Sequence, residues 1–249
     1  MNVVTRSAFA ALVLLAPYSL SAQAIPKADE IFARHVAAIG GKEAVMKISS
    51  IKTVGTLQMP SMGITAAIEA YSAAPNRMSM KMTIPGIGDI SNGYDGTTAW
   101  EVNPMQGPRI KNEKEKTTAQ EEADFYGAML FPKERFISAE TVGAADFGGE
   151  KTWQVKTVLK SGRVVMEYFA VETGLRVGSQ TTTESQQGTL NVITVESAYK
   201  QFGPLKMATR SEMTTGPQKM VITLSDVVLG SVPENAFTLP EQIKALVKP

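Results

Sequence analysis

From Ile51 almost to the end of the chain, polarity alternates with a period of two, and that pattern constrains the fold more than anything else in the sequence. Arg77–Ile84 reads Arg, Met, Ser, Met, Lys, Met, Thr, Ile. A strand places Met78, Met80, Met82 and Ile84 on one face. In Thr152–Lys160, Trp153, Val155 and Leu159 oppose Gln154, Lys156 and Lys160. In Leu205–Met213, Leu205, Met207 and Met213 oppose Lys206, Arg210 and Glu212. Arg163–Val171, Leu175–Thr183, Leu190–Tyr199 and Lys219–Val228 are rich in β-branched and aromatic residues. Turn signals such as Pro85-Gly86, Asp95-Gly96, Thr173-Gly174 and Gly216-Pro217 separate the runs. About eleven short strands at roughly ten-residue spacing predict a large antiparallel sheet, curled or closed.

Two segments depart from this rhythm. Ile25–Ile48 reads as helical, with Ile31, Phe32, His35, Val36 and Ile39 on one face. Asp29 and Glu30 suit its positive first turn, and Gly40-Gly41 ends the first helix before a short second one over Lys42–Ile48. Farther on, Lys111–Lys116 reads as a charge-dense loop and Thr118-x-x-Glu121 as a capping box. Ala123, Tyr126, Met129 and Leu130 then follow at helical spacing until Phe131-Pro132 stops the helix. The fold class predicted is mainly β with helices (α+β), as one domain over 25–249.

The chemistry is bounded by what the chain lacks. Zero Cys removes disulfides, thiolate nucleophiles and Cys-based zinc sites, and one His removes a His-rich metal centre. A formal net charge of +1 without a basic tract removes a phosphate-driven nucleic-acid binder. No G-x-S-x-G, P-loop, H-E-x-x-H or G-x-G-x-x-G motif occurs. His35 has no acid–nucleophile partner near it in sequence and reads as a packed helix residue. Glu121, Glu122 and Asp124 read as a solvated helix face. No enzyme activity, cofactor or metal is expected. Residues 1–24 read as a secretory signal: Arg6, an apolar run over Ser7–Leu20, and Ala22-Gln23-Ala24 as the cleavage site. A periplasmic or secreted product is the expectation.

A sheet of this width has an inward face that its own residues do not fill. Helices, an apolar ligand, or both must cover it, and flexible Met side chains suit a ligand of variable shape. Three short motifs then stand in register. Gly93-Tyr94-Asp95-Gly96-Thr97-Thr98-Ala99-Trp100 resembles the "DG-x-x-x-W" hairpin of the LolA/LolB-like superfamily, the periplasmic carriers of outer-membrane lipoproteins. Ala170-Val171-Glu172-Thr173-Gly174-Leu175-Arg176 resembles that superfamily's "T-G-L" turn, and Asn235-Ala236-Phe237-Thr238-Leu239-Pro240 its closing "F-x-x-P" segment. In one departure, Ala74 precedes Pro75 where such chains carry Arg, while Arg77 matches their second Arg.

The resemblance implies an unclosed barrel with a helical lid over a hydrophobic cavity for lipid or lipoprotein acyl chains. It places Met78, Met80, Met82, Ile84 and Trp100 on the concave face and Tyr126, Met129 and Leu130 in the lid. The partners it implies are an envelope transporter or an outer-membrane acceptor, with the chain a monomer. The competing expectation is a non-catalytic envelope interaction domain on the same fold with no bound ligand.

Overall fold

The structure, a computed structural model, describes residues 24–185 and 188–247. The signal-like segment, Ala24 apart, lies outside them. Two helices open the chain, α1 (Ala28–Ala38) and α2 (Lys42–Met46). Six strands follow: β1 (Ser50–Met59), β2 (Ile64–Ala73), β3 (Arg77–Ile84), β4 (Gly88–Tyr94), β5 (Ala99–Asn103) and β6 (Gly107–Ile110). A helical insert, α3 (Glu113–Ala123) and α4 (Gly127–Leu130), leads to seven more. These are β7 (Phe136–Phe147), β8 (Glu150–Leu159), β9 (Val164–Ala170), β10 (Arg176–Ser185), β11 (Gly188–Phe202), β12 (Leu205–Thr215) and β13 (Gln218–Leu229). A 3-10 turn, Glu234–Phe237, and α5 (Glu241–Lys244) close the chain.

All thirteen strands form one antiparallel sheet in the order β6-β5-β4-β3-β2-β1-β13-β12-β11-β10-β9-β8-β7. Every neighbour but one is a hairpin partner. The exception is the seam between β1 and β13, where Ile51 pairs with Leu229. The sheet ends in two free edges, β6 and β7, and does not close. Thirteen strands rather than eleven result because the β4–β6 region supplies short ones and because β7 lacks a clean alternation. Register slips at Ile137 and at Val142 leave these two residues as bulges, 63% and 54% exposed.

Pairing partners share a face, so one face can be traced across the sheet. Met78 on β3 sits opposite Ser72, which sits opposite Ile51, which pairs with Leu229. From β12 the same face carries Ser211 and Glu196, and then Ser179, Glu167, Val155, Phe169 and Trp153. The four helices that precede β7 cover this face. Under α1, Phe32 stacks on Phe131 at 4.8 Å between ring centroids and meets Phe169 edge-on at 5.7 Å. Ile31, Trp153, Val155 and Leu159 complete that cluster. Between α1 and α2, Gly40 has φ +126°, and a Cβ there would lie 2.3 Å from the Pro204 carbonyl oxygen. Its bareness lets Lys206 N–H donate to the Ile39 carbonyl at 2.9 Å, tying α1 to β12.

The insert differs from expectation at both ends. Lys111–Lys116 is not all loop. Asn112 caps α3: its side chain accepts from Glu115 N–H at 3.0 Å, and Glu115 accepts from Asn112 N–H at 3.0 Å. The reciprocal pair of hydrogen bonds is the capping box, six residues before the Thr118 position that the sequence suggests, and Thr118 instead donates to the Lys114 carbonyl at 3.2 Å. The run does not continue through Tyr126 either. Asp124 takes an extended conformation and accepts from Gly127 N–H at 3.0 Å, starting α4 as a separate turn.

Candidate functional site

On the helix-covered face the sheet does not present only apolar side chains. Arg176 stands on β10 with Glu167 and Glu196 beside it. Arg176 Nε donates to Glu167 at 2.8 Å, and its Nη1 donates to Glu196. Tyr199 Oη donates to the Arg176 carbonyl at 2.8 Å and approaches Glu196 at 3.3 Å. Strand pairing builds the group: β9, β10 and β11 are neighbours, so residues 9 and 20 positions from Arg176 converge on it. Three charges are thus removed from water, which is tolerable only because each finds a partner. Burial and the neighbouring Glu196 push the Tyr199 phenol well above its ordinary value. His35, on α1, lies edge-on to Phe169 at 5.3 Å and to Phe131 at 5.6 Å. Burial first and Arg176 second lower its pKa to about 4, so it is neutral at pH 7.

Two cavities flank this group, and Arg176 and Ala128 belong to the wall of both. The larger, about 320 Å³, lies under α1 and α4. Ile39, Met129, Leu205 and Met207 form its apolar wall; Glu196, Tyr199 and Lys206 form its polar one. The smaller, about 170 Å³, is lined by Arg135, Arg163, Glu167, Ser179 and Thr181, with Phe131 and Val165. A third space, a cleft of about 580 Å³, lies between α3 and the β8–β9 turn and is bordered by Gln120, Asp124 and Lys160. No group of three or more His, Cys, Asp or Glu able to hold a metal occurs among the described residues. No described helix is long and apolar enough to cross a membrane.

The expected ligand-binding residues do not come together in one cavity. Met78, Met80, Met82 and Ile84 share a face, as the alternation predicts. Met78 packs on Tyr94, Ala99, Ala119 and Ala123 beneath α3; Met80 and Met82 are half-buried, and Ile84 is buried. Trp100 is on the other side of the sheet. It pairs with Gly93, which pairs with Ser79, whereas Met78 pairs with Tyr94. The indole lies over bare Gly93, where a Cβ would come within 2.8 Å of it. The expectation that Trp100 shares the methionine face is corrected by this register.

Tyr126, Met129 and Leu130 do lie over the helix-covered face, packed with Ile39, Val45, Leu205 and Leu229. Tyr126 Oη donates to the Ile48 carbonyl at 3.2 Å, and of the three only Met129 borders the 320 Å³ cavity. Sequence reasoning missed Arg176, Glu167 and Glu196. The available signal was Glu167 between Val165 and Phe169, a charge at an inward position of an otherwise apolar alternation.

The three motif segments have structural work of their own. Asp95 accepts from Thr97 and Thr98 N–H at 2.8 and 2.7 Å, setting the β4–β5 turn. Arg77 pairs with Glu234 at 2.7 Å and lies 4.7 Å from the centre of the Phe237 ring. Ser79 donates to the Ala236 carbonyl at 2.7 Å. The closing segment is therefore strapped across the uncovered side of β3.

No protein-family model matches the chain, and no curated protein matches it. Solved structures do. A LolA superfamily protein from Nitrosomonas europaea superposes with a TM-score of 0.58 at 13% identity, over 86% of this chain and 98% of that one. A DUF1329 family protein from Desulfovibrio piger gives 0.58 at 10% identity, over 85% and 97%. An outer membrane lipoprotein-sorting protein domain from Vibrio parahaemolyticus gives 0.57 at 13% identity, over 84% and 95%. With an unclosed antiparallel sheet, helices on one face and these neighbours, the chain has the LolA-type fold.

Proposed function

We propose that this chain is a carrier of the bacterial envelope that binds lipid, or the acyl chains of lipoproteins, and moves them toward the outer membrane. The observation that carries the reading is the open 320 Å³ cleft bordered by α1 and α4, with Ile39, Met129, Leu205 and Met207 on its wall. Its volume lies at the lower end of the roughly 300–1,000 Å³ of small-molecule sites. One chain of a lipid fits such a space better than several. The LolA-type fold and the signal-like segment support a periplasmic setting. Binding, not catalysis, is the proposed action, with an envelope transporter as donor and an outer-membrane protein as acceptor. Met129 touches the ligand in this scheme, and Tyr126 and Leu130 hold α4 over it.

A second reading has an observation in its favour. The aromatic cluster of Phe32, Phe131, Phe136 and Phe169 fills the space under the first turns of α1 with side chains. A filled interior suits an interaction domain that carries nothing. Native mass spectrometry on protein taken from its own envelope, with displacement of a fluorescent fatty acid, separates the two. A retained lipid, and uptake weakened by Met129→Glu with little change in unfolding free energy, supports the carrier. Protein reproducibly free of lipid, with no uptake, overturns it in favour of the second reading.

A further inference from the structure

The smaller cavity shares Arg176 and Ala128 with the larger, more apolar one, and some of its donors have no protein partner. Arg135, Arg163 and Arg176 all line it together with Glu167, and Arg176 is shared between Glu167 and Glu196. Asp124 and Glu121 hold two of these cations from the α3 side. Arg135 Nη1 meets Asp124 at 2.7 Å and Arg163 Nε meets Glu121 at 2.9 Å. Those contacts fix the guanidinium planes and leave donors over. Arg176 Nη2 and both Nη atoms of Arg163 have no hydrogen-bond partner among the described residues. Ser179 stands opposite Glu167 in the β9–β10 register and belongs to the cavity lining. Forked donors from separate elements, partly buried and pre-positioned, match the oxygens of a phosphate or carboxylate.

We infer that the 170 Å³ cavity binds the oxyanion headgroup of an amphiphile whose tail occupies the adjoining 320 Å³ cavity, with Arg163, Arg176 and Ser179 as its ligands. The tail half of this assignment rests on the carrier reading; the oxyanion half does not. A headgroup here takes up the guanidinium N–H groups of Arg163 and Arg176 that Glu121, Glu167 and Glu196 leave free, and it sets the ligand's direction: polar end on the Arg163 side of Ala128, chain toward Ile39 and Met207.

Calorimetric titration of the full chain with decyl phosphate, 1-decanol and inorganic phosphate tests both halves. The lone histidine, His35, gives a single assignable imidazole signal that reports on the neighbourhood of Arg176. Decyl phosphate is expected to bind at least about tenfold more tightly than 1-decanol, a preference that Arg163→Gln removes, because an ion-assisted hydrogen bond is lost. Ser179→Ala, which removes no charge, is expected to weaken decyl phosphate but leave 1-decanol unchanged. It serves if Arg163→Gln unfolds the protein.

Equal binding of decyl phosphate and 1-decanol overturns the oxyanion site and leaves the carrier reading standing. Binding of inorganic phosphate with no gain from the decyl chain supports the oxyanion site and overturns the carrier reading. Absence of binding by all three, with the His35 signal unmoved, overturns both.

Discussion

His35 is the one histidine in the chain, and its setting makes a sharp statement about pH. Burial and Arg176 hold its pKa at about 4, below its ordinary 6.5. Between those two values the unfolded chain takes up a proton that the folded chain refuses, so unfolding becomes easier as pH falls. The associated stability is in full force above about pH 6.5 and is lost as pH drops through the folded value. At 1.36 kcal/mol per unit this amounts to about 3 kcal/mol. Urea unfolding from pH 7 to pH 4 is expected to show that loss in the native chain, over and above the carboxylates, and His35→Phe is expected to lack it. A slope shared by both proteins contradicts the assignment.

Arg176 gives a second expectation at the same scale. Arg176→Met leaves Glu167 and Glu196 buried without their cation and is expected to cost about 3–5 kcal/mol of unfolding free energy. Glu196→Gln keeps a hydrogen-bond acceptor and is expected to cost less. None of this was legible in the sequence, because the three charges lie on different strands and meet only through pairing register. What was legible residue by residue was local: the Asp95-Gly96 turn, and the common face of Met78, Met80, Met82 and Ile84.

Among the elements, strands with unbroken alternation could be read almost residue for residue, as β3 was. β7 could not, since its two bulges shift the inward set twice and erase the period of two. Those bulges have a physical use. A free edge twelve residues long invites pairing with another chain, and bulges twist and interrupt it. Ile137→Lys and Val142→Lys are therefore expected to change stability by no more than about 0.5 kcal/mol, because both side chains already stand in water. Thermal unfolding checks this, and a loss of several kcal/mol would mean that the edge is covered.

The start of α3 was misread for a different reason. Lys and Glu are good helix formers, but dense charge in Lys111–Lys116 resembles a solvated loop, and only Asn112 with Glu115 marks the true cap. Asn112→Ala is expected to cost about 1 kcal/mol, measurable by the same unfolding experiment.

At the scale of the whole molecule, the sheet and its one-sided helical cover were legible because turns and alternation recur along the chain. The division of its interior was not, since cavity shape depends on how aromatic rings from α1, α4 and β9 meet. The far side of the sheet depends on the C-terminal strap. Phe237 and Ile243 are buried, and Trp100 is 5% exposed on the face that the strap crosses. In a Trp153→Phe background, removing residues 232–249 is expected to shift Trp100 emission to the red; unchanged emission would show that the strap does not shield it.

The chain leaves the sheet at Ile110 on one margin and rejoins it at Phe136 on the opposite margin. The helical insert is thus a bridge thrown between the two banks of an open trough. Its span sets how far apart those banks can stand, and a few added glycines there would let the trough unroll without altering a single strand.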